Sequence, residues 1–429
     1  MTEAALVLLS MFLMIAVGLP IAVAILGSAL IGAWALDGNL GFLNAALSLY
    51  DGATSFPLIA IPLFILAGAL MNTGGISSRL IAFVSALIGF VRGGLAMVTV
   101  GASMFFAEIS GSSVADVAAL GSVLIPAMKQ KGYSPRFAAA ITSSSASLAI
   151  IIPPSIPMIL YGAMSDTSIV KLFVAGIVPG LIGGILLMGL SYYLAVRYDL
   201  PREESFNLGR LWAAAKDAVW AVVLPVIILG GIFGGIVTAT EGAGLAVIAA
   251  LLIGGLVYRE LNLKRLYVAL VDGVLQTATV MLLVAASAVL GLYLTQAELP
   301  QHLAQGITSV TTDKLMVLMI INVFLLFVGM VLHGAAAIIL TVPILMPLVH
   351  QLGINPIQFG ILLTLNIALG QQTPPVASVL MASCAIAKTD IWSTTRTNLP
   401  FIGVLVTVLL LVTYVPAVSL WLVGIFYGQ

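Results

Sequence analysis

Charge is what this sequence has least of. Lys, Arg, Asp and Glu together make up 7% of its 429 residues, and no Lys or Arg precedes Arg79. A chain so poor in charge cannot be a soluble domain of this length, and no nucleic-acid partner is expected of it. Cysteine occurs once, at Cys384, which excludes an intrachain disulfide and a thiolate metal cluster and leaves a small packed residue. The three histidines, 302, 333 and 350, are scattered and form no metal pattern. There is no Gly-Lys dipeptide, so no loop of the Walker A kind to cradle phosphates, and HExxH, GxSxG and CxxC are absent too. Ser168-x-x-Lys171 is a bare SxxK without companion motifs and reads as the start of an interfacial helix. With acidic Glu3 and no early base, the N-terminus lacks the basic region of a cleaved signal peptide. Any work this chain does must draw on an ion gradient or a partner chain.

What is abundant is apolar. Hydrophobic residues make up 61%, mean hydropathy is +1.21, and uninterrupted apolar runs recur along the chain. These runs identify an all-α polytopic membrane protein, and they are too long and too continuous for the alternating strands of a β-barrel.

The chain is written twice. Pro126, Gly132, Pro135, Pro153, Pro154 and Pro179 recur as Pro347, Gly353, Pro356, Pro374, Pro375 and Pro400, each at an offset of 221 (347 − 126 = 400 − 179 = 221). Random placement of 19 prolines gives about 0.4 Pro/Pro coincidences at one offset, whereas five occur. Asp51-Gly52 and Asp272-Gly273 keep the same spacing, so nearly the whole chain is two copies of one half.

Apolar lengths set the expected elements. Residues 4–36 and 218–258 read as helix pairs, 44–71 as one span, and 76–91 as an interfacial arm. Residues 93–128 split at the polar tip AEISGSSVAD into arms of about 15 residues, near 22 Å, too short to cross, which predicts a re-entrant hairpin. A crossing over 137–165 broken at Pro153-Pro154 and a span over 171–196 complete the first copy. The charged segment 197–217 joins the copies. The second copy repeats the plan: a span over 266–295, a hairpin over 315–346, a crossing broken at Pro374-Pro375, and a last span over 399–427.

Charge also orients the copies. The loop 129–136 carries Lys129, Lys131 and Arg136, while its counterpart 350–356 carries only His350. Corresponding loops therefore lie on opposite faces, and the repeats are inverted, the architecture of secondary transporters. With Lys129 cytoplasmic and five crossings per copy, Lys171 and Lys314 are the only two of the 16 Lys and Arg outside. Both termini are then expected to face the periplasm.

The broken crossings carry the chemistry. A Pro-Pro pair inside a membrane helix removes two donors and frees upstream carbonyls, which protein, water or ions must satisfy. Thr142, Ser143, Ser144, Ser145 and Ser147 surround the first break, and Asn366, Gln371, Gln372 and Thr373 the second. These are hard oxygen ligands suited to Na+, and amide or hydroxyl donors suited to a carboxylate. Ser110, Ser112 and Ser113 at the first tip add hydroxyls, flanked by Glu108 and Asp116. A carboxylate at that depth needs a partner or a function; a structural or cation-related role is expected for Asp116, and Glu108 stays open. Glu241 reads as a solvated turn. The alternatives were a channel, an intramembrane hydrolase and a respiratory subunit. They lack, in turn, a continuous polar pore, a credible nucleophile-base pair, and mid-membrane Lys and Glu chains.

The tip SGSSVADVAALG, the run P-x-M-K-x-x-G-Y-x-x-x-F-A-A-A from Pro126, the IIPPSIP break and its TPP echo together resemble the large membrane subunit of tripartite ATP-independent periplasmic (TRAP) transporters. The resemblance covers essentially the whole chain and sits slightly nearer the sialic acid branch, with C4-dicarboxylates next. It implies an elevator driven by Na+, two ions or more. The partners it implies are a small four-helix membrane subunit and a periplasmic substrate-binding protein, in the bacterial inner membrane. Scaffold helices would fall in 1–75 and 218–296, the moving halves in 76–196 and 297–429, with 197–217 as a cytoplasmic connector. It places the substrate among Ser112, Ser113, Ser145, Asn366, Gln371 and Thr373. Sodium would sit among Ser110, Ser112, Ser145 and Pro153 at the first break, and among Asn366, Thr373, Pro374, Gly329 and His333 at the second. One departure is plain: the second tip reads Gly329-Met-Val-Leu-His333 where the family usually has G-M-F-x-D.

Overall fold

The computed structural model describes residues 2–110, 112–200, 206–332 and 334–428, side chains at 2–5, 36, 37, 39 and 107–110 excepted. Helices follow one another throughout. In the first copy these are α1 (Thr2–Ala16), α2 (Ile21–Asp37), α3 (Asn39–Thr54), α4 (Ala60–Thr73), α5 (Ile76–Ile88), α6 (Gly94–Ser110), α7 (Ser113–Gln130), α8 (Pro135–Ala149), α9 (Ile156–Ser165) and α10 (Ile169–Arg197). The second copy supplies α11 (Leu208–Phe233), α12 (Ala239–Leu252), α13 (Leu263–Gln296), α14 (Leu299–Val310) and α15 (Lys314–Val331). It ends with α16 (Gly334–Gln351), α17 (Pro356–Gly370), α18 (Ser378–Ala387), α19 (Ile391–Tyr414) and α20 (Ala417–Tyr427).

Among the described residues, eight helices are long and apolar enough to cross a membrane. Their outer faces carry Leu181, Ile185, Val226, Ile227 and Leu275 exposed, a pattern that water would penalise and lipid accepts. Small and polar side chains, among them Ser143, Ser144, Ser147 and Asn398, are instead fully buried.

The repeat is visible element by element. Helices α7 and α16 begin 221 residues apart (334 − 113), as do α8 and α17 (356 − 135). Both α8 and α17 start for the same local reason. Ser134 accepts from Phe137 N at 3.2 Å and Asn355 from Ile357 N at 2.9 Å, and each cap is followed by proline. A side-chain cap with proline at the first helical position satisfies an orphan donor and presets φ. Both breaks contain a cis bond, at Pro153-Pro154 and Pro374-Pro375.

Three contacts fix the relative direction of the broken crossings. Lys129 Nζ, next to the start of α8, donates to Ala387 O at the end of α18 at 2.9 Å. In the middle, Ser143 Oγ donates to Gln372 Oε1 at 2.9 Å. At the far end, Tyr161 Oη of α9 donates to Pro356 O at the start of α17 at 2.6 Å. The two crossings are therefore antiparallel. The hairpins follow suit: α6 begins where Arg92 pairs with Asp199 at 3.4 Å and α7 ends at Lys129, whereas α15 begins where Lys314 Nζ donates to Gly353 O at 3.0 Å. They enter from opposite ends, and the two copies run through the molecule in opposite senses.

The hairpin arms are longer than expected, 17 residues in α6 and 18 in α7, α15 and α16. Those of the second hairpin are among the eight helices long and apolar enough to cross, and its tip stops against the middle of a broken helix, where Val376 N donates to Met330 O at 3.3 Å.

Several boundaries differ from the sequence reading. The single span expected over 44–71 is two helices, since α3 ends at Thr54, Ser55 is extended, and Pro57 in a short 3-10 turn cannot continue the ladder. The last span, expected over 399–427, starts earlier at Ile391, capped by Asp390, and stops at Tyr414 before Pro416 starts α20. The connector expected over 197–217 is shorter, because α10 runs to Arg197 and Asn207 caps α11 by accepting from Arg210 N at 3.1 Å. Glu241 does occupy a solvated turn, reaching back to Thr238 N at 2.8 Å in a capping box. Ser168 caps α10 by accepting from Lys171 N at 3.4 Å, so the SxxK spacing is a helix start.

An ion cluster ties the arm α5 to α11 and the α12–α13 turn. Arg79 Nη1 meets Glu260 Oε1 at 2.6 Å, Nε meets Asp217 Oδ1 at 3.2 Å, and the guanidinium lies 3.9 Å over the Tyr258 ring. Gly75 makes this approach available: its φ is +76°, and a Cβ there would lie 2.4 Å from Glu260 Oε2. Arg79→Ala should cost about 1–2 kcal/mol of stability, between exposed and buried pairs in size. The hydrogen bond from Arg79 holds the Glu260 carboxyl below its ordinary value. Its contribution is therefore present above the unfolded carboxyl value, about 4.3, and is lost as pH falls through the lower folded value. Glu260→Gln should accordingly melt below the parent at pH 7 and converge with it in strong acid, as read by thermal denaturation.

Candidate functional site

A cavity of about 410 Å³ lies where both hairpin tips and both breaks converge. Ser112 and Ser113 reach it from the first tip, Gly334 and Ala335 from the second, Ile150 and Ile156 from the first break, and Gln371 from the second. Its remaining wall comes from α4 and α13, including Ile65, Gln276 and Thr279. A smaller recess shares Ile65, Ala115 and Gln276 with it, and a further one shares Asn72, Phe106 and Ala119 with that recess and reaches Ser77 and Ser78 beside Arg79. The three together run from the centre toward the Arg- and Lys-rich end.

Beneath the cavity, one glutamine joins the two copies. Gln372 Oε1 accepts from Ser143 Oγ and Asn398 Nδ2, each at 2.9 Å, while Nε2 donates to Ser143 O at 2.6 Å and to Ser147 Oγ. Ser144 Oγ donates to Asn398 Oδ1 at 2.8 Å. All five residues are fully buried, and every capacity of the Gln372 amide is used. This amide is a brace; it has nothing left for a ligand.

Ser145 and Asn366 are counterparts (366 − 145 = 221), and each ties its broken helix to the first arm of a hairpin. Ser103 Oγ donates to Ser145 Oγ at 3.1 Å, and Asn366 Nδ2 donates to Asn322 Oδ1 at 2.7 Å. Asn322 in turn donates to Thr413 Oγ1 at 3.0 Å. Neither Ser145 nor Asn366 borders the cavity. The oxygen Asn366 Oδ1 is buried without a protein partner, and so are Thr142 Oγ1, Ser113 Oγ and Gln371 Nε2. Orphaned buried polar atoms mark places where a ligand, ion or water completes the structure.

Of the residues singled out from sequence, the structure gathers Ser112, Ser113 and Gln371 at the cavity. Thr373 Oγ1 donates to Leu369 O near the end of α17 at 3.1 Å, and Pro153 and Pro374 sit in the breaks outside the lining. Gly329 packs against the end of α17, where its Cβ would lie 3.1 Å from Ile367 Cα. Asp116 is buried in the first turn of α7, where the helix N-terminus favours an acid. The side chains of Ser110 and Glu108, and His333 entirely, lie outside the described residues. Four polar residues escaped the sequence reading: Ser103, Asn322, Asn398 and Gln276. Asn322 alone left a signal, as a lone amide inside the apolar run MVLMIINVFLLF.

The profile described as "Tripartite ATP-independent periplasmic transporter, DctM component" matches residues 8–418. The chain belongs to this family of TRAP large permeases. Relatives bear it out along the length. An isethionate TRAP transporter permease from Oleidesulfovibrio alaskensis is 41% identical over 96% of this chain. The C4-dicarboxylate large permease of Pseudomonas aeruginosa is 39% identical over 88% of both chains, and the sialic acid large permease of Vibrio cholerae 36% over 92% of this one and 93% of its own length. The chain spans 65% of the length of the isethionate relative. A solved YdaH transporter from Alcanivorax borkumensis shares the fold, with a TM-score of 0.64 at 17% identity over 92% of this TRAP chain and 90% of its own.

Proposed function

We propose that this chain is the large permease subunit of a Na+-coupled importer of an organic acid anion, working as an elevator in the bacterial inner membrane. The observation that carries the reading is the meeting of two hairpin tips and two breaks at one cavity, with an orphaned amide oxygen, Asn366 Oδ1, on the helix that leads into the second break. Neutral oxygens of this kind suit Na+, and among the described residues no cluster of acids, His and Cys competes as a site for a multivalent metal. The moving body is residues 76–196 with 297–429, sliding on a scaffold of 1–75 and 218–296. Substrate arrives from a periplasmic binding protein, and a small four-helix subunit completes the membrane part.

Isethionate, C4-dicarboxylate, 2,3-diketo-L-gulonate and sialic acid name the relatives' cargo, and all are acid anions. The sialic acid relative, at 36%, is no nearer than the isethionate and dicarboxylate ones at 41% and 39%, which gives that branch no preference. Two Na+ with a monoanion move one net charge, worth about 2.3 kcal/mol per 100 mV, beyond a tenfold concentration before the chemical gradient is added. The recesses leading toward the Lys- and Arg-rich end support reading this as the inward-facing state under the positive-inside rule.

Ser112→Ala and Asn366→Ala should each weaken Na+-dependent uptake about tenfold in vesicles holding the small subunit and a binding protein. Unchanged sodium dependence in both variants would remove the site assignment. The topology is tested separately by a reporter fused after the last residue. It should read periplasmic, and a cytoplasmic signal rejects the orientation.

A further inference from the structure

The cavity is symmetric in construction but not in chemistry. Gln371 of the second break corresponds to Ile150 of the first, and Ser113 of the first tip to Gly334 of the second (371 − 150 = 334 − 113 = 221). Each copy thus contributes one polar group where the other is apolar. Gln371 and Ser113 are 2% and 3% exposed, line the cavity, and leave Nε2 and Oγ without a partner. At the wall of that space they hold an unpaired N–H and an unpaired O–H, each with under 1 Å² exposed, a pair that matches the two oxygens of one carboxylate or one sulfonate edge once a ligand draws the two side chains round.

The rest of the wall is mostly apolar, with Ser112, Gln276 and Thr279 as its other polar side chains. Ile150, Ile156, Leu160, Val280 and Leu283 are apolar. Thr279 Oγ1 is already committed to Leu275 O at 2.9 Å. Gln276 borders the adjoining recess as well. No Lys, Arg or His occurs among the described lining residues, so a second anionic group would find no cation among them, and a set of sugar hydroxyls would find few partners there for the water it loses.

From this we infer, resting on the anion-import reading above, that the cavity takes a monoanion with one carboxylate or sulfonate head and an apolar body. The head is held by Ser113 and Gln371, the body lies against Ile150, Ile156 and Leu160, and dicarboxylates and polyhydroxylated acids are disfavoured.

The test is calorimetric titration of the full chain in lipid nanodiscs, in NaCl and in choline chloride, with phenylacetate, succinate and N-acetylneuraminate as probes. Phenylacetate should bind at least about tenfold more tightly than either other acid in NaCl, and lose that affinity in choline. Gln371→Leu and Ser113→Ala should each weaken it about tenfold, with folding checked by melting without ligand. Ile156→Asn, which leaves the head site intact, should weaken phenylacetate and not succinate. Sodium-dependent binding that favours succinate or N-acetylneuraminate overturns this inference while leaving the import reading in place. Absence of sodium-dependent binding by all three acids overturns both.

Discussion

Gln372→Leu should lower the unfolding free energy by about 3–5 kcal/mol, among the largest effects of any single substitution away from the cavity. The side chain is similar in volume, so packing is nearly conserved and the loss is one of hydrogen bonding. Leucine would strand Ser147 Oγ and Asn398 Nδ2, which the Gln372 amide now satisfies in fully buried positions, and would take the second bond from Ser143 O, which keeps its partner inside α8. Ser143 Oγ has a second acceptor in Ala140 O at 3.1 Å and is spared. Each stranded buried group costs about 1–3 kcal/mol, and some relaxation among the serines brings the sum below simple addition. Chemical denaturation of the full chain in detergent reads it directly. A loss under about 1 kcal/mol would mean that water already reaches this network and that the copies are braced elsewhere. Ser144→Ala, which removes only the donor to Asn398 Oδ1, should fall between parent and Gln372→Leu.

The brace also shows where sequence legibility stops. The duplication was open to reading because prolines cannot drift without breaking helices, and the boundaries of α7 and α8 reappear in α16 and α17 at the proline offset. The breaks announced themselves for the same reason. Asn398 gave no such sign: its counterpart is Ile177, so repeat logic points away from it, and only folding brings α19 alongside Ser144. The scaffold wall was hidden in a similar way, since Gln276 and Thr279 look like ordinary polar interruptions of a long apolar helix. The bend at Ser55 to Pro57 was missed because the second copy spans the equivalent positions with one continuous helix, α13, of 34 residues. The duplication located elements well and could not locate what one copy does and the other does not.

Gly370→Ala should abolish most Na+-driven uptake, a loss of at least about tenfold, and destabilise the chain by about 1–3 kcal/mol. Helix propensity predicts the opposite sign, since alanine inside a helix is favoured over glycine by about 1 kcal/mol. Geometry decides between them. A Cβ at Gly370 would lie 2.4 Å from Gly329 C, 2.6 Å from Gly329 Cα and 2.8 Å from Met330 N. All three are backbone atoms of the second hairpin, so no side chain can rotate away, and the tip itself must retreat. That retreat moves Gly334 from its place beside Gln371 and disturbs the Val376 N–Met330 O bond that seats the tip on the break. Gly403→Ala on α19 is the control, because a Cβ there meets nothing within 4 Å. It should be neutral or slightly stabilising. Melting curves and uptake measured on both variants separate the two causes. If Gly370→Ala behaves like Gly403→Ala in both, the hairpin is not seated on its break, and this arrangement of the cavity is not the state that carries substrate.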